Sequence, residues 1–314
     1  MTFTRRSILG TLTAAAAAAQ GQKRPRPKPW KPKLGILARY SEANLEFARQ
    51  EGFQSLQLQG INPDNDAEIE KAKAVIKQSG LYVSSLLDTQ NHIDPDDAKR
   101  ARANDHFVKM IELTGKMGVP AIGTMSGTIP GKPLKQQVGE IVKVYTEKYF
   151  PVCEKYNVKI LWEPWAGGPN IATGPVGWEA LFKAFNDSPH LGLQFDPSHL
   201  QWQMMDPVQA AKDFVGKIHD VHLKDTEILW PVLRHGGIQP LDNARWWRFR
   251  LPGFGSVDWR GLFTVLMEAG FEGALNIEHE DELYYPLYEG TEFTERGKAS
   301  YKMCHQFLKQ LVPA

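Results

Sequence analysis

The sequence predicts an α/β protein built as a single (β/α)8 TIM barrel, and three observations predict it. Eight short apolar runs alternate with eight longer amphipathic segments over about 280 residues, the arithmetic of eight strand-then-helix units. Gly52, Gly80, Gly118 and Gly270 each stand where a helix must end before the next strand, and a left-handed cap costs glycine little. No glycine-rich phosphate loop follows the first strand, where Leu34-Gly35-Ile36-Leu37-Ala38-Arg39 runs on without one. That absence argues against a doubly wound open sheet, which otherwise makes a similar pattern.

In chain order the strand-like runs are Leu34–Leu37, Ser55–Gln59, Leu81–Leu87, Val119–Met125, Val158–Trp165, Leu191–Phe195, Ile218–Leu223 and Ala274–Glu278. The helix-like stretches between them are Glu42–Glu51, Asp66–Ser79, Ala98–Met117, Leu134–Tyr156, Gly177–Phe185, Pro207–Phe214 and Trp259–Ala269, with a last one at Thr294–Leu311. No compositional break divides residues 34–314, which are expected to form one domain. The longest interval without regular structure, Thr226 to Val257, follows the seventh strand and holds Trp246-Trp247 and Pro252-Gly253-Phe254-Gly255. A loop of that length in a compact domain marks function, and it falls on the face where such barrels carry their sites.

Ahead of the barrel, Thr4-Arg5-Arg6-Ser7-Ile8-Leu9-Gly10 opens a small apolar run ending in Ala14 to Ala19. Residues 1–19 read as a secretory signal, and the arginine pair is similar to a twin-arginine signal, an address read by an export machinery. The expected destination is the periplasm. Residues 20–33 carry Pro25, Pro27, Pro29 and Pro32 among basic side chains and read as a stiff tether. No segment approaches the 18 or so apolar residues of a spanning helix, so stable membrane insertion is not expected.

With 37 Lys plus Arg against 36 Asp plus Glu, the net charge of +1 argues against a nucleic-acid partner gripped through its phosphates. Two cysteines exclude a disulfide-rich scaffold and a thiolate zinc cluster, while a bridge between Cys153 and Cys304 stays open.

The last four strands each finish on a residue able to bind metal: Glu163 in Trp162-Glu163-Pro164, Asp196 in Asp196-Pro197-Ser198-His199, His222 in His222-Leu223-Lys224-Asp225, and Glu278 in Ile277-Glu278-His279-Glu280. One such residue is ordinarily a turn or helix cap. Four in consecutive strands become one cluster when the barrel closes. Three carboxylates and one imidazole suit one divalent ion, Mn²⁺ first, with Mg²⁺, Co²⁺ and Zn²⁺ as alternatives. Without a cation the carboxylates repel one another.

On these motifs the chain resembles the xylose isomerase-like TIM-barrel superfamily, in particular its sugar phosphate isomerase/epimerase group, from about Lys33 to Leu311. The resemblance implies that Glu163, Asp196, His222 and Glu278 are the metal ligands. It further implies that Glu163 and Glu278 exchange a proton beside a substrate carbonyl through a metal-stabilised enediolate, and that His199 contacts substrate. Lys224, Asp225, Trp165 and Arg248 are the other candidate substrate contacts. Arg248, like Arg234 and Arg245, stands in the long loop, whereas the arginine the epimerases carry six residues past the histidine is Ile228 here. Trp162, Trp165, Trp202, Trp230, Trp246 and Trp247 suggest an aromatic platform at the mouth.

The leading expectation is a metal-dependent isomerase or epimerase acting on a small carbohydrate. The alternatives are a 3-keto-glycoside lyase or hydrolase using the same metal and base, and a non-catalytic sugar-binding barrel. A homo-oligomer is compatible with either enzyme.

Overall fold

The computed structural model describes residues 30–312, so the expected signal (1–19) and most of the expected tether (20–33) lie outside the described residues. The end of that tether belongs to the domain. Trp30 is buried, packs at a tilt against Phe263 and donates its indole N–H to the Phe271 carbonyl, and Lys33 already opens the first strand.

Eight parallel strands close into a barrel in the order β1, β10, β7, β6, β5, β4, β3, β2. They are β1 (Lys33–Arg39), β2 (Ser55–Gln59), β3 (Tyr82–Leu87), β4 (Ala121–Thr124), β5 (Lys159–Trp162), β6 (Leu191–Phe195), β7 (Ile218–Leu223) and β10 (Ala274–Ile277). The remaining strands are extra to the barrel: β8 (Asp225–Ile228) with β9 (Trp247–Arg250), and β11 (Tyr288–Glu289) with β12 (Glu292–Phe293).

The helices cover the barrel because their apolar stripes need burial and the outward strand residues supply it. Ile160 and Trp162 of β5, Leu193 and Phe195 of β6, and Val221 and Leu223 of β7 are fully buried in that layer with Leu181, Phe182, Leu262 and Leu266 of the helices. Helix starts are set by side chains that take up free N–H groups. Asn65 accepts from Glu68 N, Asp96 from Lys99 N, and Thr294 from Gly297 N. Gly80 ends its helix at φ 71°, the left-handed cap its position predicts.

Three regions depart from the expected plan. The stretch expected as one helix from Leu134 to Tyr156 contains a π-helical turn at Tyr145–Tyr149, and both tyrosines of that turn are buried. A short extra helix, Pro197–Trp202, is capped by Asp196 and directs His199 back over the barrel mouth. The interval 226–257 is not a structureless loop. It holds the β8–β9 hairpin and a helix at Trp230–Gly236, because Thr226-Glu227-Ile228 pairs antiparallel with Trp247-Arg248-Phe249.

Cys153 and Cys304 are both buried free thiols, which closes the open question of a bridge between them. Burial pushes the Cys153 thiol up to about 12. Among the described residues no helix is long and apolar enough to cross a membrane.

Candidate metal centre

Alternation along a strand sends neighbouring side chains to opposite faces, and on three strands it sends a polar series into the barrel. Asp220, His222 and Lys224 share one face of β7 and its extension. Gln194 and Asp196 share one face of β6, and Asn276 and Glu278 one face of β10. Their mutual contacts place them inside: Asp220 accepts from Asn276 Nδ2 (2.9 Å), Ser84 Oγ (2.8 Å) and Ser85 Oγ (2.6 Å).

At the C-terminal rim, Glu163, Asp196, His222 and Glu278 each offer one ligand atom, and these atoms lie within 4.8 Å of one another. His222 Nδ1 is 2.7 Å from Glu278 Oε2, 3.4 Å from Glu163 Oε1 and 3.7 Å from Asp196 Oδ2. The ring's other nitrogen is 2.6 Å from Gln57 Oε1, an acceptor, so Nε2 carries a proton. In the neutral ring, Nδ1 then presents a lone pair to three carboxylates. Nδ1 and Asp196 Oδ2 are buried without a well-aligned hydrogen bond, although the Lys224 ammonium lies 3.1 Å from Oδ2. Two such atoms facing the same point, beside two more carboxylates, fit a hard divalent cation.

A second layer of contacts surrounds the cluster. Lys224 is 1% exposed, yet its ammonium lies 2.8 Å from Glu278 Oε2, 2.8 Å from Glu280 Oε2 and 3.1 Å from Asp196 Oδ2. His199 Nε2 lies 3.3 Å from Glu163 Oε1, 3.5 Å from Asp196 Oδ2 and 3.2 Å from Lys224 Nζ. Burial disfavours every charge here, but the charges answer one another. Without a cation the three carboxylates, against burial, hold the His222 ring well above its usual value, so that a proton on Nδ1 answers them. That ring and His199, again against burial, hold the Glu163 carboxyl well below the usual range. Lys224 and His199 do the same for Asp196, and the carboxylates hold Lys224 well above the usual ammonium range. Glu278 is the exception: burial outweighs Lys224 and His222, and its carboxyl is raised.

The site therefore gathers Glu163, Asp196, His199, His222, Lys224 and Glu278, but not every residue the sequence nominated. Asp225 turns away from the cluster. Its carboxylate accepts from Thr226 N, Val257 N, Gly253 N and the Trp259 indole at 2.8 to 3.0 Å, tying down both ends of the 226–257 segment. Arg248 pairs with Glu227 on the neighbouring strand at 2.7 Å. Trp165 sits over its own loop, where a Cβ on Gly167 would come within 2.6 Å of its indole nitrogen.

The expected six-tryptophan platform is smaller than the sequence suggests. Trp162 faces outward into the helix layer and donates to Tyr145 OH, because Glu163 beside it points inward. Trp246 is buried, its indole bonded to the Ile238 carbonyl, and Trp230 projects from the surface. Trp202 and Trp247 remain, stacked at 4.6 Å and 9°. Phe249 extends this wall, edge-on to Trp247 and His199, with the Lys224 ammonium 4.6 Å from its ring centre.

Asn170 is a contributor that sequence reasoning missed. It donates to the Glu163 carbonyl and accepts from Ser126, fixing the turn after β5. Glu280 holds Lys224, while its neighbour His279 turns to Ser300. A cavity of about 420 Å³ opens beside Glu278, lined among others by Arg39, Gln59, Glu280, Tyr285 and Tyr288.

Residues 45–303 match the family model described as xylose isomerase-like TIM barrel. An uncharacterised protein of Bacillus subtilis (strain 168) is 28% identical over 256 residues, covering 72% of this chain and 80% of that one. Inosose dehydratase of Clostridium tetani (strain Massachusetts / E88) is 22% identical over 271 residues, covering 80% and 85%. Among solved structures, the apo form of the 3-keto-D-glucoside 4-epimerase from E. coli superposes with a TM-score of 0.66 at 17% identity. That match covers 88% of this chain and 100% of the other, and at such identity it is a likeness of fold.

Proposed function

The chain belongs to the xylose isomerase-like TIM-barrel family, and from that premise we propose that it is a divalent-metal-dependent isomerase or epimerase acting on a sugar or sugar derivative. One observation carries the reading: Glu163 and Glu278 approach the same buried nitrogen of His222 at the barrel mouth, and Glu278 borders the cavity. Glu163, Asp196, His222 and Glu278 would hold the ion, with Mn²⁺ the first choice. A bound divalent ion supplies positive charge for oxygens beside a reacting C–H and so acidifies it.

The side chains do the rest. One of the two glutamates takes the proton from the carbon next to the carbonyl. Return of a proton on the opposite face inverts that centre, and return at the neighbouring carbon isomerises it. Lys224 and His199 hold these carboxylates in place and offer donors to substrate oxygens. The Trp202–Trp247 pair and Phe249 give an apolar wall on which a sugar ring can lie.

A second reading has its own observation. Lys224 Nζ lies between Glu278 and Glu280, placed to give a proton to a departing oxygen. On a 3-keto-glycoside, a glutamate would remove the proton at C2, the C1–O bond would break, and the released oxygen would take the lysine's proton. The names of two similar proteins, inosose dehydratase and 3-keto-D-glucoside 4-epimerase, support keto-carbohydrates as the class to test first.

The test incubates the Mn²⁺-supplemented protein in D₂O with free ketoses and with 3-keto-glycosides. Deuterium beside the carbonyl without bond cleavage supports isomerisation or epimerisation, and release of the aglycone supports elimination. No deuterium and no cleavage with either class, or full activity in both Glu163→Gln and Glu278→Gln, sinks the proposal. Export to the periplasm is part of the same proposal and rests on the residues of 1–19 alone. N-terminal sequencing of protein from the periplasmic fraction tests it, a start near Gln20 being the expected result.

A further inference from the structure

A chain of buried hydrogen bonds runs through the barrel beneath the rim cluster, and its polarity can be read from one end to the other. A carboxylate only accepts, so Gln194 on β6 must turn its Nε2 to Glu163 Oε2, 3.3 Å away. That commits Gln194 Oε1 to the other side, where it accepts from Gln57 Nε2 on β2. Gln57 Nε2 also donates to Ser85 Oγ at 2.8 Å, so both of its amide hydrogens are engaged. Its Oε1 is left to face His222 Nε2 at 2.6 Å. The amide oxygen can only accept, so Nε2 carries a proton, and in the neutral ring it is the Nδ1 lone pair that faces the three carboxylates.

The backbone is shaped around the same two glutamines. The β2–β3 register shifts between Leu56 and Gln57, and the β6–β7 register shifts between Leu193 and Gln194. Such irregularities re-aim the side chains next to them. On β4, Gly123 leaves the space that Gln194 fills, since a Cβ there would collide with Gln194 Oε1. Gln57, Gln194 and His222 are all fully buried, in a layer that barrels of this kind commonly fill with branched apolar side chains.

We infer that Gln57 is a positioning residue, itself oriented by Gln194, that fixes which nitrogen of His222 faces a bound divalent ion. The inference rests on the metal reading of the rim cluster. Replacing Gln57 with leucine removes the acceptor that His222 Nε2 has among the described residues and frees the ring to change tautomer or flip.

Mn²⁺ titration calorimetry of Gln57→Leu should give an affinity about tenfold to hundredfold below that of the unaltered protein. Long-range ¹H–¹⁵N spectra of the Zn²⁺-loaded protein should report a protonated Nε2 on His222, and a mixture of forms in the variant. Gln194→Leu should weaken binding less, and the double variant should lose less than the two single effects combined, because both act through one chain. Gly123→Ala presses on Gln194 without removing a polar group, and replaces Gln57→Leu as the test where that variant does not fold: it should lower the affinity measurably, by no more than Gln194→Leu does. Unaltered protein that binds Mn²⁺, with a variant of lower thermal stability but the same affinity and the same His222 tautomer, overturns the inference alone. Unaltered protein that binds neither Mn²⁺ nor Zn²⁺ overturns the metal reading and the inference with it.

Discussion

Asp225 offers the sharpest division between a residue that meets substrate and one that holds the fold. Its carboxylate is fully buried and receives four N–H groups, two on each oxygen: Thr226 and Val257 on Oδ1, Gly253 and the Trp259 indole on Oδ2. In Asp225→Asn one oxygen becomes an NH₂ group, so two buried donors lose their acceptor and face another donor. An unsatisfied buried donor costs about 1–3 kcal/mol, which puts the variant about 2–6 kcal/mol below the parent. The damage should centre on the segment from Thr226 to Val257, since the four bonds close its two ends. Urea unfolding measures the stability, and limited proteolysis followed by mass spectrometry locates the opened segment. A change below about 0.5 kcal/mol with no new cleavage between residues 226 and 257 would refute the anchoring role. Lost turnover at unaltered stability would return Asp225 to the substrate contacts, where its position beside Lys224 first places it.

Two further outcomes follow from buried charge. Lys224→Met leaves Asp196 and Glu278 without their ammonium, and removing one partner of a buried pair costs about 3–5 kcal/mol. Thermal unfolding in chelator should show that loss, and Mn²⁺ should recover much of it. An equal deficit with and without the ion would contradict a shared charge balance. His92 is buried, bonded to Tyr149 OH and Thr124 Oγ1, and burial pushes its ring down to about 3. Its folded value lies below its unfolded value of about 6.5, so the unfolded chain binds the extra proton between those limits. Stability should therefore fall as pH drops through that window, by about 1.4 kcal/mol per unit from this group, and level off above about 6.5. The difference in unfolding free energy between the parent and His92→Gln, measured from pH 7 down to pH 4, isolates the slope; parallel curves would disprove it.

How much was legible in the sequence follows from how each residue announces itself. Glu163, Asp196, His222 and Glu278 stand at strand ends after apolar runs, so a barrel once assumed gathers them without further information. Gln57 and Gln194 lie inside their runs, in Ser55-Leu56-Gln57-Leu58 and Leu191-Gly192-Leu193-Gln194-Phe195, where a single amide reads as tolerated polarity. Only the partner across the barrel gives it meaning, and such pairs are 137 and 165 residues apart. Trp162 reads as a mouth residue because Glu163 follows it, although strand alternation separates the two. The hairpin in 226–257 is hard to read because β8 and β9 are four residues each and separated by a helix, not linked directly by a two-residue turn.

The charge held at the rim favours a divalent ion with a neutral histidine. Glu163, Asp196 and Glu278 contribute three negative charges when ionised, and Lys224 returns one positive charge, leaving two negative charges in a buried cluster. Glu280 is partly exposed, so water screens its charge. A proton on His222 Nδ1 answers only one of the two, and the ring then leans on Glu278 alone at 2.7 Å. A divalent cation answers both and uses the lone pair that the Gln57 bond exposes, so no second proton is needed. Lys224 is central to this count. Were it absent, three carboxylates and a divalent ion would leave a net negative site, less suited to gathering charge from an enolate-like substrate. With it, a cluster holding a divalent ion would be neutral, and negative charge formed on a substrate oxygen would meet the Lys224 ammonium, already fixed in place, beside the positive charge the ion would supply.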